Sequence, residues 1–177
     1  MKLFIRVIIA SLILGITSWV IIQLPSAQDR LLVFAFSALG SVSNNLPKED
    51  ALSAAVCGSR SPLPSPGRAE TCILISAGED LFIVDIGDGS NNNLRSWNIN
   101  FRNIEAVLIT HLHSDHIADL PGLHQNAWVV GERSSKLKVF GPEGVDQFTQ
   151  GIEMAYAHDY VFRNEHHGDA IAPLEFA

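Results

Sequence analysis

Four side chains of the kinds that bind metals follow directly on one apolar segment, and no other feature constrains the fold as strongly. Residues 106–110 (AVLIT) have the composition of a buried strand, and the next six residues include His111, His113, Asp115 and His116. Along an extended backbone, residues two apart point the same way, so the first two histidines can hold one ion together. Where the chain turns, the aspartate and the third histidine can face a second ion. The fold must therefore bring the end of a buried strand to an open edge.

The donor types indicate the chemistry. Neutral imidazole suits zinc, iron or manganese, whereas a carboxylate suits a harder ion. Two ions about 3.5–4 Å apart can share a hydroxide and stabilise the oxyanion of a transition state. Asp115 is the candidate catalytic residue, since its carboxylate can orient that nucleophile or move its proton. A histidine-rich surface loop with chance spacing is the alternative, which the preceding buried strand disfavours.

The remaining pattern predicts a layered α/β domain. Before the metal-binding segment we expect a short strand over 51–57, a loop with several prolines over 58–69, a hairpin of strands 71–77 and 81–86, and a helix over 91–99. After it we expect a helical segment over 117–130 interrupted near Pro121 and Gly122, a strand over 137–140 and an amphipathic helix over 144–156.

The H-x-H-x-D-H pattern resembles that of the metallo-β-lactamase superfamily, whose fold is an αββα sandwich with the metals at the strand ends. Residues 84–89 (VDIGDG) are similar to the D-x-G-x-G element of that superfamily. The resemblance implies that Asp85 supports the metal-binding loop, and a carboxylate can do so by accepting the second N–H of a ligand imidazole. The alternative for Asp85 is a turn residue after a strand.

Two further segments resemble the ribonuclease Z and arylsulfatase-like branch of the superfamily. Residues 57–64 (CGSRSPLP), followed by Arg68, are similar to its first-strand loop, with Arg60 in place of a glycine that the branch commonly has there. Residues 140–144 (FGPEG) are similar to its Y-G-P-x-G element. The resemblance covers about 51–168.

The resemblance implies a hydrolase that uses a metal-activated hydroxide on a phosphodiester, a sulfate ester or a related ester. It implies two divalent metal ions, zinc foremost, with iron or manganese as alternatives. Hydrolysis of a lactone or β-lactam ring remains open, because these substrates share the first-half pattern. An oxygen- or redox-active diiron protein is a third, less favoured option.

The remaining histidines are not expected to be ligands. His124 is expected to be a packing or surface residue, and His158 a partly exposed residue at a helix end. His166 and His167 are predicted to be structural or to face the substrate.

The N-terminus predicts a location outside the cytoplasm. Lys2 and Arg6 precede residues 7–24, an uncharged apolar run that fits a membrane anchor. A cleaved signal peptide ending near Ala27 is the alternative. Residues 28–50 hold a shorter apolar stretch and a polar linker. Either alternative predicts a membrane-anchored or exported domain on the periplasmic or extracellular side. The uncleaved helix would also make the membrane a partner.

Charge and location together predict the other partners. The formal charge of −7 indicates no basic patch for nucleic acid, and export argues against tRNA processing. We therefore expect a small-molecule ester as substrate and no specific nucleic acid, with the oligomeric state open. Cys57 and Cys72 are compatible with a disulfide or with two buried thiols.

The domain, residues 51–177, is expected to be only the N-terminal half of the sandwich. The resemblance implies a later histidine, a bridging aspartate and a final histidine, but ten residues follow His167. An inactive membrane-tethered fragment is therefore the alternative to an enzyme. Half a sandwich leaves one sheet face uncovered, so the chain expressed alone is predicted to bind metal weakly and to aggregate.

Overall fold

A five-stranded sheet with helices on one face is the central feature of the described chain. The computed structural model describes residues 2–28, 30, 31, 34, 51–63 and 65–177. The strands are β1 (Leu52–Gly58), β2 (Cys72–Ala77), β3 (Asp80–Val84), β4 (Ile104–Leu108) and β5 (Lys138–Phe140). The helices are α1 (Lys2–Ile22), α2 (Ser90–Ser96), α3 (Ser114–Ile117), α4 (Leu120–Val129) and α5 (Val145–His167), with 3-10 turns at Phe101–Asn103, Gly168–Ala170 and Leu174–Phe176.

The strand directions bring four loops to one edge of the sheet. The order is β1-β2-β3-β4-β5, in which β2 is antiparallel to both of its neighbours. The pairs β3–β4 and β4–β5 are parallel. Strands β1, β3, β4 and β5 therefore all end at the same edge. The mixed sheet with helical connections confirms the predicted α/β class, and β2 and β3 form the predicted hairpin.

The hydrophobic core lies between one face of this sheet and the helices. Alternate residues of the hairpin strands point into it, as period-two patterning requires. Its fully buried members include Leu74, Leu81, Ile83, Ile104, Val107, Leu94, Leu120 and Leu123. Burying a side chain of this size contributes about 1.5–3 kcal/mol, so this cluster is the main source of stability for the edge that carries the site.

The opposite face of the sheet carries apolar side chains that remain accessible. Ile73 pairs with Val56 on one side and with Val84 on the other. Val84 pairs with Leu108, which in turn pairs with Phe140, so all of these residues share that face. The exposed fractions are 63% for Val56, 38% for Ile73 and 55% for Phe140. None of these three side chains is buried, so this face of the sheet is accessible among the described residues.

Two helices differ from the prediction for local reasons. The helical segment after the metal-binding residues is interrupted at 118–119, between α3 and α4. Pro121 does not interrupt a helix, because it lies in the first turn of α4, where its missing N–H has no partner to lose. Helix α5 continues to His167 instead of ending at Tyr156. Tyr160, four residues further on, is buried against Trp128 and extends the inner face of the helix.

The predicted membrane anchor and exported location require correction. The prediction took residues 7–24 as one apolar helix, whereas α1 begins at the charged Lys2 and ends at Ile22. Within the part of the chain that the structure describes, no helix combines the length and apolarity needed to cross a membrane. The same finding contradicts the predicted contact with the membrane through an N-terminal helix. Most of the predicted segment over 28–50, including its polar linker, lies outside the described residues.

Candidate metal centre

The candidate site lies where the parallel strands β3 and β4 end side by side. Strand β3 leads into Asp85, which is 3% exposed and has a left-handed backbone with φ of 58°. The backbone N–H of Asp85 donates to the carbonyl of Leu108 at 3.0 Å, so the two strand ends stay paired beyond the sheet. Strand β4 continues through Ile109 and Thr110 into the metal-binding segment. The buried carboxylate therefore lies directly behind the candidate ligands.

Backbone contacts fix the segment 85–87 against the candidate ligands. The Ile86 N–H donates to the His116 carbonyl at 2.8 Å, and the Asp119 N–H donates to the Ile86 carbonyl at 3.0 Å. A Cβ at Gly87 would lie 2.1 Å from the Asp115 carbonyl oxygen, closer than side chains approach. Glycine is required here by the close approach of two backbones.

The four candidate ligands fall into two pairs. His111 Nε2 lies 3.1 Å from His113 Nδ1, and Asp115 Oδ2 lies 3.5 Å from His116 Nε2. Two ligands on one tetrahedral zinc at bond lengths of about 2.0–2.1 Å are separated by roughly 3.3 Å. The imidazole centroids of His111 and His116 are 3.9 Å apart, which places the pairs next to each other. Each pair therefore has the spacing of two ligands on one ion.

Each pair supplies two ligand atoms for one ion. Among the described residues, no three His, Cys, Asp or Glu side chains are grouped so that they could hold a metal ion. A structural or catalytic zinc takes at least three protein ligands. The arrangement fits two ions by donor type and spacing, but it leaves the ligand set of each ion incomplete.

Asp85 accepts three hydrogen bonds from Thr110 and His116. Its Oδ1 accepts the Thr110 backbone N–H at 2.8 Å, and its Oδ2 accepts the Thr110 hydroxyl at 2.8 Å. His116 Nδ1 also lies 2.8 Å from Oδ2. The position of Asp85 is therefore that of a support behind the ligands. Sequence reasoning did not identify Thr110, although its place immediately before His111 was a usable signal.

A second charged cluster fixes the loop between β1 and β2 at the same edge. Arg60 Nη2 lies 3.1 Å from Glu70 Oε1 and 3.2 Å from Asp88 Oδ2. Glu70 Oε2 in turn accepts the Asp88 backbone N–H at 3.1 Å. Arg60 stands where the resembling branch has glycine, and here its guanidinium joins this loop to the segment 85–89. Nothing in the sequence pattern singled out Glu70.

Burial shifts the pKa of two titratable groups near these elements. Desolvation raises the pKa of Asp119, whose Oδ2 accepts the Asn91 backbone N–H at 3.0 Å. Desolvation lowers the pKa of His124, which lies edge-on to the Tyr160 ring with a centroid distance of 5.6 Å. His124 thus packs between helices. His158 is exposed on α5 and stacks on Phe162.

His166 and His167 lie at the C-terminal end of α5. Their rings are in edge contact, with centroids 4.7 Å apart.

The two cysteines, for which the sequence left two states open, form a disulfide. Cys57 at the end of β1 is bonded to Cys72 at the start of β2, and both are fully buried. The bond closes the loop that carries Arg60 and Glu70.

Fold and site together describe an α/β domain whose candidate metal ligands follow β4, at the edge where the parallel strands end. Residues 65–175, more than half of the chain, match the family model described as the metallo-beta-lactamase superfamily. The chain belongs to the metallo-beta-lactamase superfamily. This membership confirms the predicted class, a metallo-hydrolase, and the superfamily generally binds two divalent metal ions, usually zinc.

Two relatives of this chain are both named ribonuclease Z. Ribonuclease Z of Mycobacterium bovis is 36% identical over 118 residues, which are 66% of this chain and 42% of the relative. Ribonuclease Z of a Mycobacterium species (strain KMS) is 37% identical over 117 residues, 66% of this chain and 41% of the relative. This chain therefore spans about two fifths of the length of the curated relatives it matches.

Solved structures agree on the fold. Human tRNase Z, short form, superposes with a TM-score of 0.53 at 25% identity, covering 58% of this chain and 40% of that chain. A long form RNase Z from yeast superposes with a TM-score of 0.56 at 17% identity, covering 70% of this chain and 19% of that chain. The second likeness concerns the fold alone.

These names correct the predicted partners. The expectation of a small-molecule ester and no nucleic acid rested on the net charge and on export. Relatives over this region are named as nucleases of RNA and of tRNA, which contradicts that expectation. Net charge was a poor guide because it sums over the whole surface, whereas binding depends on the local field at a site.

Proposed function

We propose that the protein to which this chain belongs is a metal-dependent phosphodiesterase that cleaves RNA. The observation that carries the proposal is the pair of two-donor groups after β4, with the buried Asp85 carboxylate behind them. The ribonuclease Z relatives support RNA as the substrate class. Of the esters considered, the phosphodiester is the one consistent with those names.

The proposed ligands divide between two divalent ions, zinc foremost. His111 through Nε2 and His113 through Nδ1 would hold one ion, and Asp115 through Oδ2 and His116 through Nε2 the other, since these are the atoms that face each other. Such ions, when bound, supply positive charge that activates water and stabilises the anionic oxygens of a phosphodiester transition state.

The residues of this chain orient the reacting groups. Asp115 is 7% exposed and lies in the first turn of α3, so its carboxylate is held in place. We assign to it the alignment of the attacking water and the acceptance of its proton. Asp85 holds His116 with Nδ1 toward the protein and Nε2 toward the site. The segment 85–87 keeps this geometry rigid, which positioning of a nucleophile requires.

The first test compares substrates and one substitution in the protein at its natural length. A panel of tRNA substrates, a simple phosphodiester, an aryl sulfate, a lactone and a β-lactam should show turnover of the RNA. Asp115→Asn should lower kcat by about 100-fold or more, because several kcal/mol of charge stabilisation depend on a correctly held ion.

The matched control is Asp146→Asn. Asp146 is an exposed aspartate in the first turn of α5, and its replacement should leave the rate unchanged. Full activity of Asp115→Asn, or hydrolysis of the sulfate or lactone in preference to RNA, would refute the proposal.

A further inference from the structure

The hydroxyl of Thr110 connects the two groups of candidate ligands. Thr110 Oγ1 lies 2.8 Å from Asp85 Oδ2, 3.1 Å from His111 Nδ1 and 3.5 Å from His116 Nδ1. The backbone N–H of the same residue donates to Asp85 Oδ1 at 2.8 Å. One residue thus contacts the supporting carboxylate and a ring nitrogen from each pair.

The direction of each hydrogen bond follows from the donors available. A buried carboxylate only accepts, so the Thr110 hydroxyl donates its single proton to Asp85 Oδ2. The oxygen of that hydroxyl can then only accept from His111, which requires the proton of the neutral imidazole to be on Nδ1. His111 Nε2 is then unprotonated, and it is this atom that faces His113. A metal ligand needs that unprotonated nitrogen.

We propose that Thr110 is a positioning residue that sets the ring tautomer of His111. Asp85 orders His116 directly, through Oδ2, and orders His111 only through the Thr110 hydroxyl. One carboxylate therefore prepares a ligand of each ion, and Thr110 supplies the connection to the first. This inference concerns the metal site on which the proposed function rests, but it does not depend on RNA being the substrate.

The test reads the tautomers without metal or substrate. In protein labelled with 15N at histidine, freed of metal and kept in mildly alkaline buffer, imidazole nitrogen shifts report which nitrogen carries the proton. His111 should be protonated at Nδ1 in the wild type. Thr110→Val removes the acceptor with little change of shape and should move His111 toward the Nε2-protonated form. Thr110→Ser restores the hydroxyl and should restore the wild-type tautomer.

Zinc affinity provides the second measurement. In competition with a chromogenic chelator, Thr110→Val should bind zinc about 10–100-fold more weakly, the usual effect of removing a partner of a ligand imidazole. Thr110→Ser should bind within a few-fold of the wild type. Thr149→Val is the matched control, because the Thr149 hydroxyl donates to the Asp146 carbonyl within α5, away from the candidate ligands.

His116 serves as an internal reference, since it contacts Asp85 directly. Loss of the preferred tautomer at both histidines in Thr110→Val would indicate general disruption of the loop and would overturn the proposal. An unchanged His111 tautomer with unchanged zinc affinity would do the same. If the tautomer shifts as expected but RNA is not cleaved, the proposed function fails and the role of Thr110 stands.

Discussion

Single residues at the sheet edge are constrained by contacts across two loops. Gly87 is the sharpest example, because a Cβ there would also lie 2.5 Å from the Glu70 Cβ. The obstacle on the other side is the Asp115 backbone, which cannot move without displacing a candidate ligand. Asp85 illustrates the same constraint by adopting a left-handed backbone at which a non-glycine residue is uncommon.

Gly87→Ala should therefore destabilise the protein by about 1–3 kcal/mol, the usual effect of forcing extra volume into a packed site. The free energy of unfolding from urea titration measures it. Gly151→Ala is the matched control: that glycine lies within α5 with open space around it, and alanine there should stabilise by about 0.5–1 kcal/mol. Equal effects of the two substitutions would contradict the close approach at Gly87.

Among the elements, the loop between β1 and β2 depends on links made at its two ends. The disulfide joins the strands where the loop begins and ends, and the Arg60 ion pairs attach it to the segment after β3. The backbone N–H groups of Ser59 and Arg60 also donate to the Ala69 carbonyl, at 2.9 and 2.8 Å. The loop is therefore ordered at its base.

Reduction of the disulfide should lower the free energy of unfolding by about 3 kcal/mol, since the bond closes a loop with a sequence separation of 15 residues. Urea titrations with and without dithiothreitol measure the difference. The double variant Cys57→Ala, Cys72→Ala should start near the reduced value and should not respond to the reductant. A wild type that is equally stable in both buffers would show that the bond does not form in solution.

At the scale of the whole molecule, one face of the sheet is buried against helices, and the other carries apolar side chains that are exposed among the described residues. Neighbouring residues of β2 illustrate the difference: Leu74 is 1% exposed, and Ile73 is 38% exposed. A contiguous apolar surface of this kind promotes association. Each candidate ion has only two ligands among the described residues. We therefore expect the chain to bind zinc weakly, because zinc sites in proteins use at least three protein ligands.

Ile73→Lys should reduce self-association of the 177-residue chain, as measured by light scattering, and should change its stability by less than about 0.5 kcal/mol. Leu74→Lys, on the adjacent residue, should unfold the domain because it places an unpaired charge in the core. A wild-type chain that is monomeric at high concentration and binds two zinc ions tightly would contradict this description of the molecule.

The fold class, the family and the candidate ligands could be predicted from the sequence alone. The apolar run before His111, the hairpin signal and the ligand spacing depend on neighbours in the chain, so they predicted the α/β class, the family and the candidate ligands. The roles of Thr110, Glu70 and Gly87 were decided only by tertiary structure, because each depends on a contact between segments far apart in sequence. Asp85 lies 25 residues before Thr110, and only the parallel pairing of β3 with β4 brings them together. Local sequence patterns identify the residues that can bind a metal. The tertiary structure decides which other residues hold those ligands in position.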